Sequence, residues 1–327
     1  MKRFLRRLAY ASLVPASLSR NQRFLTDSQL KELEQALRRN YFSQPLNYFA
    51  VSPEAYLATE DGSADLLNHM LGRLSTDRER VIPWLNDAKA LKGTRVLEIG
   101  CGTGASTVAL TEQGAIVTAV DVNAGNVEAA RARLALYGLS ADFVVANATE
   151  LHERFSPGSF DLIVFFATLE HLTYAERMTA MRGTWSMLKG GQLWAVVETP
   201  NRLWWFDDHT SCLPFYHWLP DELALDYAPY SERQFMKEYR DAPRNEATSL
   251  DLARRGRGVS FHEFDLTMGR DVNVVSALNP YLRRKNSVIR ARWLASTDRK
   301  TCVFLRSRGP MVHEGFYQPY LDLIIAK

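Results

Sequence analysis

Residues 96–104 read VLEIGCGTG, an apolar run ending in three glycines two apart, followed at once by ASTVAL. Glycine lets the backbone adopt angles that other residues avoid and lets a ligand approach the chain closely. ASTVAL can start a helix, and the first N–H groups of a helix have no partner inside it. Neighbouring segments extend the pattern. TRVLEIG, AIVTAVD, ADFVVAN, FDLIVFF and QLWAVVE are short and rich in Val, Ile and Phe, and helix-like pieces such as VEAARARLALYG and YAERMTAMRGTWSMLKGG separate them. Nearly continuous apolar strands alternating with helices predict a doubly wound parallel α/β sheet covered on both faces, with ligands bound beyond the strands' carboxyl ends.

The glycine spacing narrows the ligand. A dinucleotide fingerprint needs G-x-G-x-x-G, and Gly100, Gly102 and Gly104 are one residue too tight for it. Glu98 precedes the first glycine, where a carboxylate repels phosphate and attracts an ammonium or a sulfonium. The expected ligand is a nucleoside without phosphate that carries positive charge. S-adenosyl-L-methionine meets both conditions.

From these residues the segment 93–198 resembles the class I S-adenosylmethionine-dependent methyltransferases. The resemblance implies a Rossmann-like seven-stranded sheet, mostly parallel with an antiparallel last strand, and S-adenosyl-L-methionine as cofactor. In VLEIGCGTG it implicates Glu98, Gly100, Gly102 and Gly104 beside the methionine moiety and ribose, with Cys101 a small filler in the turn. AVDVN puts Asp121 on the ribose hydroxyls and Val122 beside adenine. VVANATEL matches the adenine-reading segment at Asn147 and Ala148, although Asn147 stands where an Asp is common. FDLIVFFATLEHL implies that Phe166, Ala167 and Thr168 line the cofactor and that Glu170-His171 opens the next helix.

The flanks suggest the acceptor side. Residues 1–92 are expected to form a helical cap, with a helix interrupted near Pro83 and with Tyr41, Phe42, Tyr48, Phe49, Tyr56 and Trp84 as its aromatics. Either these rings form a small core, or some face the ligand; Tyr48 and Tyr56 are the catalytic candidates among them. Residues 199–299 follow the fifth strand as an insertion containing ETPNRLWWFDDHTSCLPFYHWLPDEL, whose opening resembles small-molecule methyltransferases of the ubiquinone-biosynthesis type. His171 and His209 are candidate bases. Asp207, Asp208 and His209 are too tightly packed along the chain to face one ion, so no metal is expected. TCVFLRS and PYLDLIIAK, within 300–327, are expected to be the last two strands.

Composition bounds the rest. A net charge of +3 is too small to argue for nucleic acid, although both ends are basic. FFATLEH also stands where methyltransferases acting on exocyclic amines of RNA often carry an Asn/Asp-Pro-Pro-aromatic run. Three scattered cysteines suit a reducing, cytoplasmic compartment. The apolar part of residues 2–18 is broken by Tyr10, Ser12, Pro15 and Ser17, which argues against a cleaved leader. No apolar run is long enough to span a membrane. Three functions stay open: methyl transfer to a small-molecule acceptor; cyclisation of S-adenosylmethionine itself, as in the similar azetidine-2-carboxylate synthases; and a non-catalytic, cofactor-binding or RNA-associated role. The oligomeric state is not legible.

Overall fold

Arg95–Ile99, Ile116–Asp121, Asp142–Val145, Phe160–Phe166 and Leu188–Pro200 form strands β1 to β5 in the computed structural model, which describes residues 12–43, 52–308 and 312–327. β6 (Phe206–Asp207) and β7 (Leu213–Pro214) make a small separate hairpin, while β8 (Asn273–Ala277) and β9 (Tyr320–Ala326) complete the main sheet. That sheet has seven strands in the order β3-β2-β1-β4-β5-β9-β8. β1 to β5 run parallel, and β9 lies antiparallel between β5 and β8. Alternate residues serve opposite faces, as the pleat requires. Val96, Val117, Val164 and Val197 join a core with Trp84 and Leu85, whereas Leu97, Ile99, Phe165 and Trp194 join one with Met181 and Phe264. The strand order reverses between β1 and β4, so the crevice of a doubly wound sheet opens there.

Two expectations change. TCVFLRS is not a strand: it lies in the helix Thr297–Arg308, where only Cys302 is buried and Val303 and Phe304 are exposed. Ser296 caps that helix by accepting from the Arg299 N–H, and a short continuous apolar run carries no periodicity to separate strand from helix. The edge strand beside β9 is instead β8, five residues drawn from within the expected insertion. Pro83 does not interrupt its helix either. Helical backbone continues from Glu60 to Ala88 through two π segments, Asn68–Gly72 and Asp77–Val81. The second ends just before Pro83, and its wider turn accommodates a ring that a regular helix would not.

The remaining insertion packs on a small core of its own, containing Leu213, Tyr216, Leu225, Met236 and Leu252. At the other end, Arg133, fully buried in the helix Ala124–Leu136, donates to the carbonyls of His69 and Met70 and so ties the sheet's helical layer to the amino-terminal helices. Among the described residues no helix is long and apolar enough to cross a membrane.

Candidate active site

The three glycines have positive φ, +78° at Gly100, +49° at Gly102 and +78° at Gly104, and each has a different reason. A Cβ on Gly100 would lie 1.8 Å from Thr168 Oγ1, and one on Gly104 would lie 2.8 Å from the Ala130 backbone. Both glycines permit close packing of chain on chain. A Cβ on Gly102 would meet nothing within 4 Å, so this is the open face of the turn. Asp121, at the end of β2, holds that face in shape. Its Oδ2 accepts from the Gly102 N–H at 2.9 Å, and its Oδ1 accepts from the Asn123 N–H at 2.9 Å and the Asn126 amide at 3.1 Å. Glu98 lies beneath the turn, wholly buried, where it accepts from the hydroxyls of Ser106 and Thr107. Burial dominates over these bonds and raises its carboxyl to about 7.

A cavity of about 840 Å³ opens beyond the carboxyl ends of β1, β2 and β4. Gly100, Cys101, Gly102, Asp121, Val122, Asn147, Ala148, Phe166 and Ala167 line it, so most of the residues carried over by resemblance share one wall. Glu98 and Gly104 do not reach it. Ala167 and Glu198, at the ends of β4 and β5, line it with φ of +42° and +59°. Non-glycine residues in that region store strain, which concentrates at ligand sites.

Of the amino-terminal candidates, Tyr56 lines the cavity, its hydroxyl 3.2 Å from Asp65 Oδ2. Burial, then Asp65, pushes the phenol well above its ordinary pKa, so it is no ready base. Tyr48 and Phe49 lie outside the described residues. A polar stripe that sequence reasoning missed lies along the helical run: Asp65, His69, Arg73 and Asp77 all line the cavity. The signal was a spacing of four, which in a regular helix looks like a solvated face. The two π turns, wider than α, help keep the stripe on one side. His69 Nδ1 lies 3.3 Å from Thr103 Oγ1, which links this stripe to the glycine turn. Burial, with Arg73 and Arg133 nearby, keeps His69 well below its ordinary pKa and neutral. Asp77 is driven the other way by burial and by Glu198 and Glu98.

The insertion closes the opposite side with His209, Arg233, Phe235, Arg254 and Arg255. The Asp-Asp-His tripeptide diverges. Asp207 turns into its own loop, accepting from the N–H groups of His209, Thr210 and Ser211, and His217 lies 3.2 Å away. Burial alone would raise this carboxyl, but His217 and these bonds draw it well below its ordinary value. Asp208 accepts from the Tyr320 hydroxyl at 2.9 Å. His209 alone reaches the cavity, where it meets His171, the ring centroids 5.8 Å apart. Burial holds His209 below its ordinary pKa. The tryptophan-rich stretch faces elsewhere: Trp205, Phe215 and Trp218 form an exposed cluster, and among the described residues Tyr41, Tyr56, Phe166 and Phe235 are the phenyl and phenol rings that line the cavity.

An open parallel sheet with a glycine turn, an acidic second strand end and a cavity between them is the arrangement expected of a class I S-adenosylmethionine-dependent methyltransferase domain. Residues 96–191 match the family model described as a methyltransferase domain. The chain is 30% identical over 122 residues to a ubiquinone biosynthesis O-methyltransferase of Pseudomonas aeruginosa, covering 37% of this chain and 50% of that protein. It is 36% identical over 114 residues to the protein of that name in Xanthomonas campestris, covering 35% and 46%. The chain thus spans about half the length of the curated relatives it matches. Among solved structures it is similar to a magnesium protoporphyrin IX methyltransferase from Synechocystis with bound S-adenosylmethionine, at 19% identity and a TM-score of 0.37, covering 54% of this chain and 80% of that one.

Proposed function

We propose that this chain transfers a methyl group from S-adenosyl-L-methionine to a hydroxyl oxygen of a small-molecule acceptor. The observation that carries the proposal is one cavity in which the glycine turn and Asp121 share walls with His171, His209 and the insertion. The residues suit the donor group by group. Gly102 leaves space beside the turn, and Asp121, an acceptor-only side chain, has a lone-pair site left for a ribose hydroxyl. Asn147 and Ala148 border the space for adenine. Arg73 is the cation for the donor's carboxylate, and its ammonium would draw Asp77, and Glu98 behind the turn, into their ionised forms and pair with that charge. When bound, S-adenosyl-L-methionine supplies a methyl group on a sulfonium centre open to displacement.

The chain's part is alignment, closure and proton handling. Helical residues 52–88 and the insertion cover the cavity from two sides and act as a lid that excludes water, a competing nucleophile. His171 and His209 line the space left for the acceptor and promote loss of its hydroxyl proton. Tyr41, Tyr56 and Phe235 suit a flat, ring-bearing acceptor. The curated relatives' name, ubiquinone biosynthesis O-methyltransferase, supports oxygen as the methylated atom.

Incubation with S-adenosyl-L-methionine, with and without a panel of phenols and catechols, followed by mass spectrometry, tests this. S-adenosylhomocysteine forming only with an acceptor is the expected result. Methylthioadenosine and a four-membered imino acid from S-adenosyl-L-methionine alone would replace methyl transfer by cyclisation.

A further inference from the structure

We propose that Glu170, His171 and His209 form a binding site for a divalent cation of the zinc type, its open coordination position facing the cavity. Glu170 and His171 lie on the 3-10 turn Leu169–His171 after β4, and His209 comes from the insertion. Glu170 Oε1 is 3.8 Å from His171 Nε2 and 3.8 Å from His209 Nε2, and the three donor atoms lie within 4.8 Å of one another. The carboxylate is wholly buried. Its Oε2 accepts from Thr199 Oγ1 at 3.1 Å, but its Oε1 has no hydrogen-bond partner among the described residues. Leaving a buried carboxylate oxygen unsatisfied is costly, and something must offset it.

At 3.8 Å neither Nε2 is within hydrogen-bond distance of that oxygen. His171 Nδ1 lies 2.8 Å from the Arg254 carbonyl, which can only accept, so Nδ1 carries the ring's proton and Nε2 of the neutral ring keeps a lone pair. His209 Nδ1 lies 2.8 Å from Thr210 Oγ1, and that hydroxyl donates its own proton to the Gly256 carbonyl at 3.0 Å. His209 Nδ1 is therefore again the donor, and Nε2 again the lone pair. Two imidazole nitrogens and one carboxylate oxygen lie within 4.8 Å of one another, each imidazole oriented by a bond at its far nitrogen. That is the outer support which metal-ligating histidines require. Donors around a tetrahedral ion stand roughly 3.4 Å apart, so each carboxylate-to-nitrogen pair has to close by only about 0.4 Å. Two imidazoles and one carboxylate suit zinc and its first-row neighbours better than calcium or magnesium, which favour all-oxygen sets. His171 and His209 line the cavity, so a further ligand would come from there. Polarisation of an acceptor hydroxyl by the ion rests on methyl transfer to oxygen being the reaction; ion binding itself does not.

The full-length protein, freed of metal with a chelator, is titrated with Zn²⁺ by calorimetry and with Co²⁺ by visible d–d absorption. One ion should bind and raise the melting temperature. Glu170→Gln, which keeps the Thr199 bond and loses the charge, should bind more than about 100-fold more weakly, as should His209→Gln. Thr210→Val, which frees the His209 ring and also removes the hydroxyl's bond to the Gly256 carbonyl, should lose roughly 10–100-fold. Melting curves without ion establish that each variant is folded. Wild-type protein that binds neither ion, or folded variants that bind like wild type, would overturn the site. Ion binding without methyl transfer would remove the proposed reaction and leave the site standing; methyl transfer by protein that binds no ion would do the reverse.

Discussion

Replacing Asp121 by alanine acts on two quantities at once, and the structure separates them. The carboxylate accepts three N–H bonds, from Gly102, Asn123 and the Asn126 side chain. Bonds to a charged group contribute roughly 1.5–3 kcal/mol each, but water in the open cavity takes over part of that on truncation. The variant should therefore lose about 2–4 kcal/mol of unfolding free energy. The ribose hydroxyls are the second quantity. The one lone-pair site left on the carboxylate allows a further charge-assisted bond of about 1.5–3 kcal/mol, or roughly 10–10² in dissociation constant. Calorimetry with S-adenosylhomocysteine, at a temperature where the melting curve leaves the variant folded, reads binding apart from stability. Asp121→Asn should fall between, because it keeps one acceptor oxygen but turns an amide N–H toward Gly102. A destabilised alanine variant with the wild-type dissociation constant would make Asp121 a brace and nothing more. An unchanged melting temperature would refute the described turn itself.

Gly100→Ala should largely prevent folding, because its Cβ would fall 1.8 Å from Thr168 Oγ1, whereas Gly102→Ala, in open space, should cost about 1–3 kcal/mol through its backbone angle and chiefly weaken cofactor binding; equal melting temperatures for the two would refute the distinction. Arg73→Gln should weaken S-adenosylhomocysteine roughly 10–100-fold while leaving the melting temperature near wild type, as expected for removing one charge-assisted pair of about 1.5–3 kcal/mol. Burial lifts Glu98 from 4.5 to about 7, so the folded chain keeps a proton that the unfolded chain has released; this favourable difference is full below pH 4.5 and is lost as pH rises through 7, by at most about 1.4 kcal/mol per unit. A cationic ligand favours the ionised form, so S-adenosyl-L-methionine should bind about tenfold more weakly at pH 6 than at pH 8, and Glu98→Gln should flatten both profiles; a wild-type profile already flat would sink the assignment.

The parts of the molecule legible in the sequence are those whose determinants are close together along the chain. Gly100, Gly102 and Asp121 lie on consecutive strand ends, and each demands a backbone or charge that few other residues provide. The sheet follows from five apolar runs for the same reason. Residues 273–308 defeated the pattern because an edge strand with one half-exposed face carries little apolar signal, while the exposed helix beside it happens to contain Cys302, Val303, Phe304 and Leu305 in a row.

The acceptor side is assembled from distant pieces, and its logic is not additive along the chain. Read locally, Asp207-Asp208-His209 looks like one cluster, yet the fold sends Asp207 to its own loop, Asp208 to Tyr320 and only His209 to the cavity. Glu170 looks like part of an ordinary LEH turn until its two oxygens are followed separately. Thr199 satisfies one, and the other is left facing two imidazoles whose protons are already held by the Arg254 carbonyl and the Thr210 hydroxyl. Thr199 comes from β5, and Thr210 and Arg254 from separate parts of the insertion, so no spacing in the sequence could have announced them. What distinguishes this carboxylate from a structural one is the atom without a partner, and only the three-dimensional count of donors and acceptors reveals it.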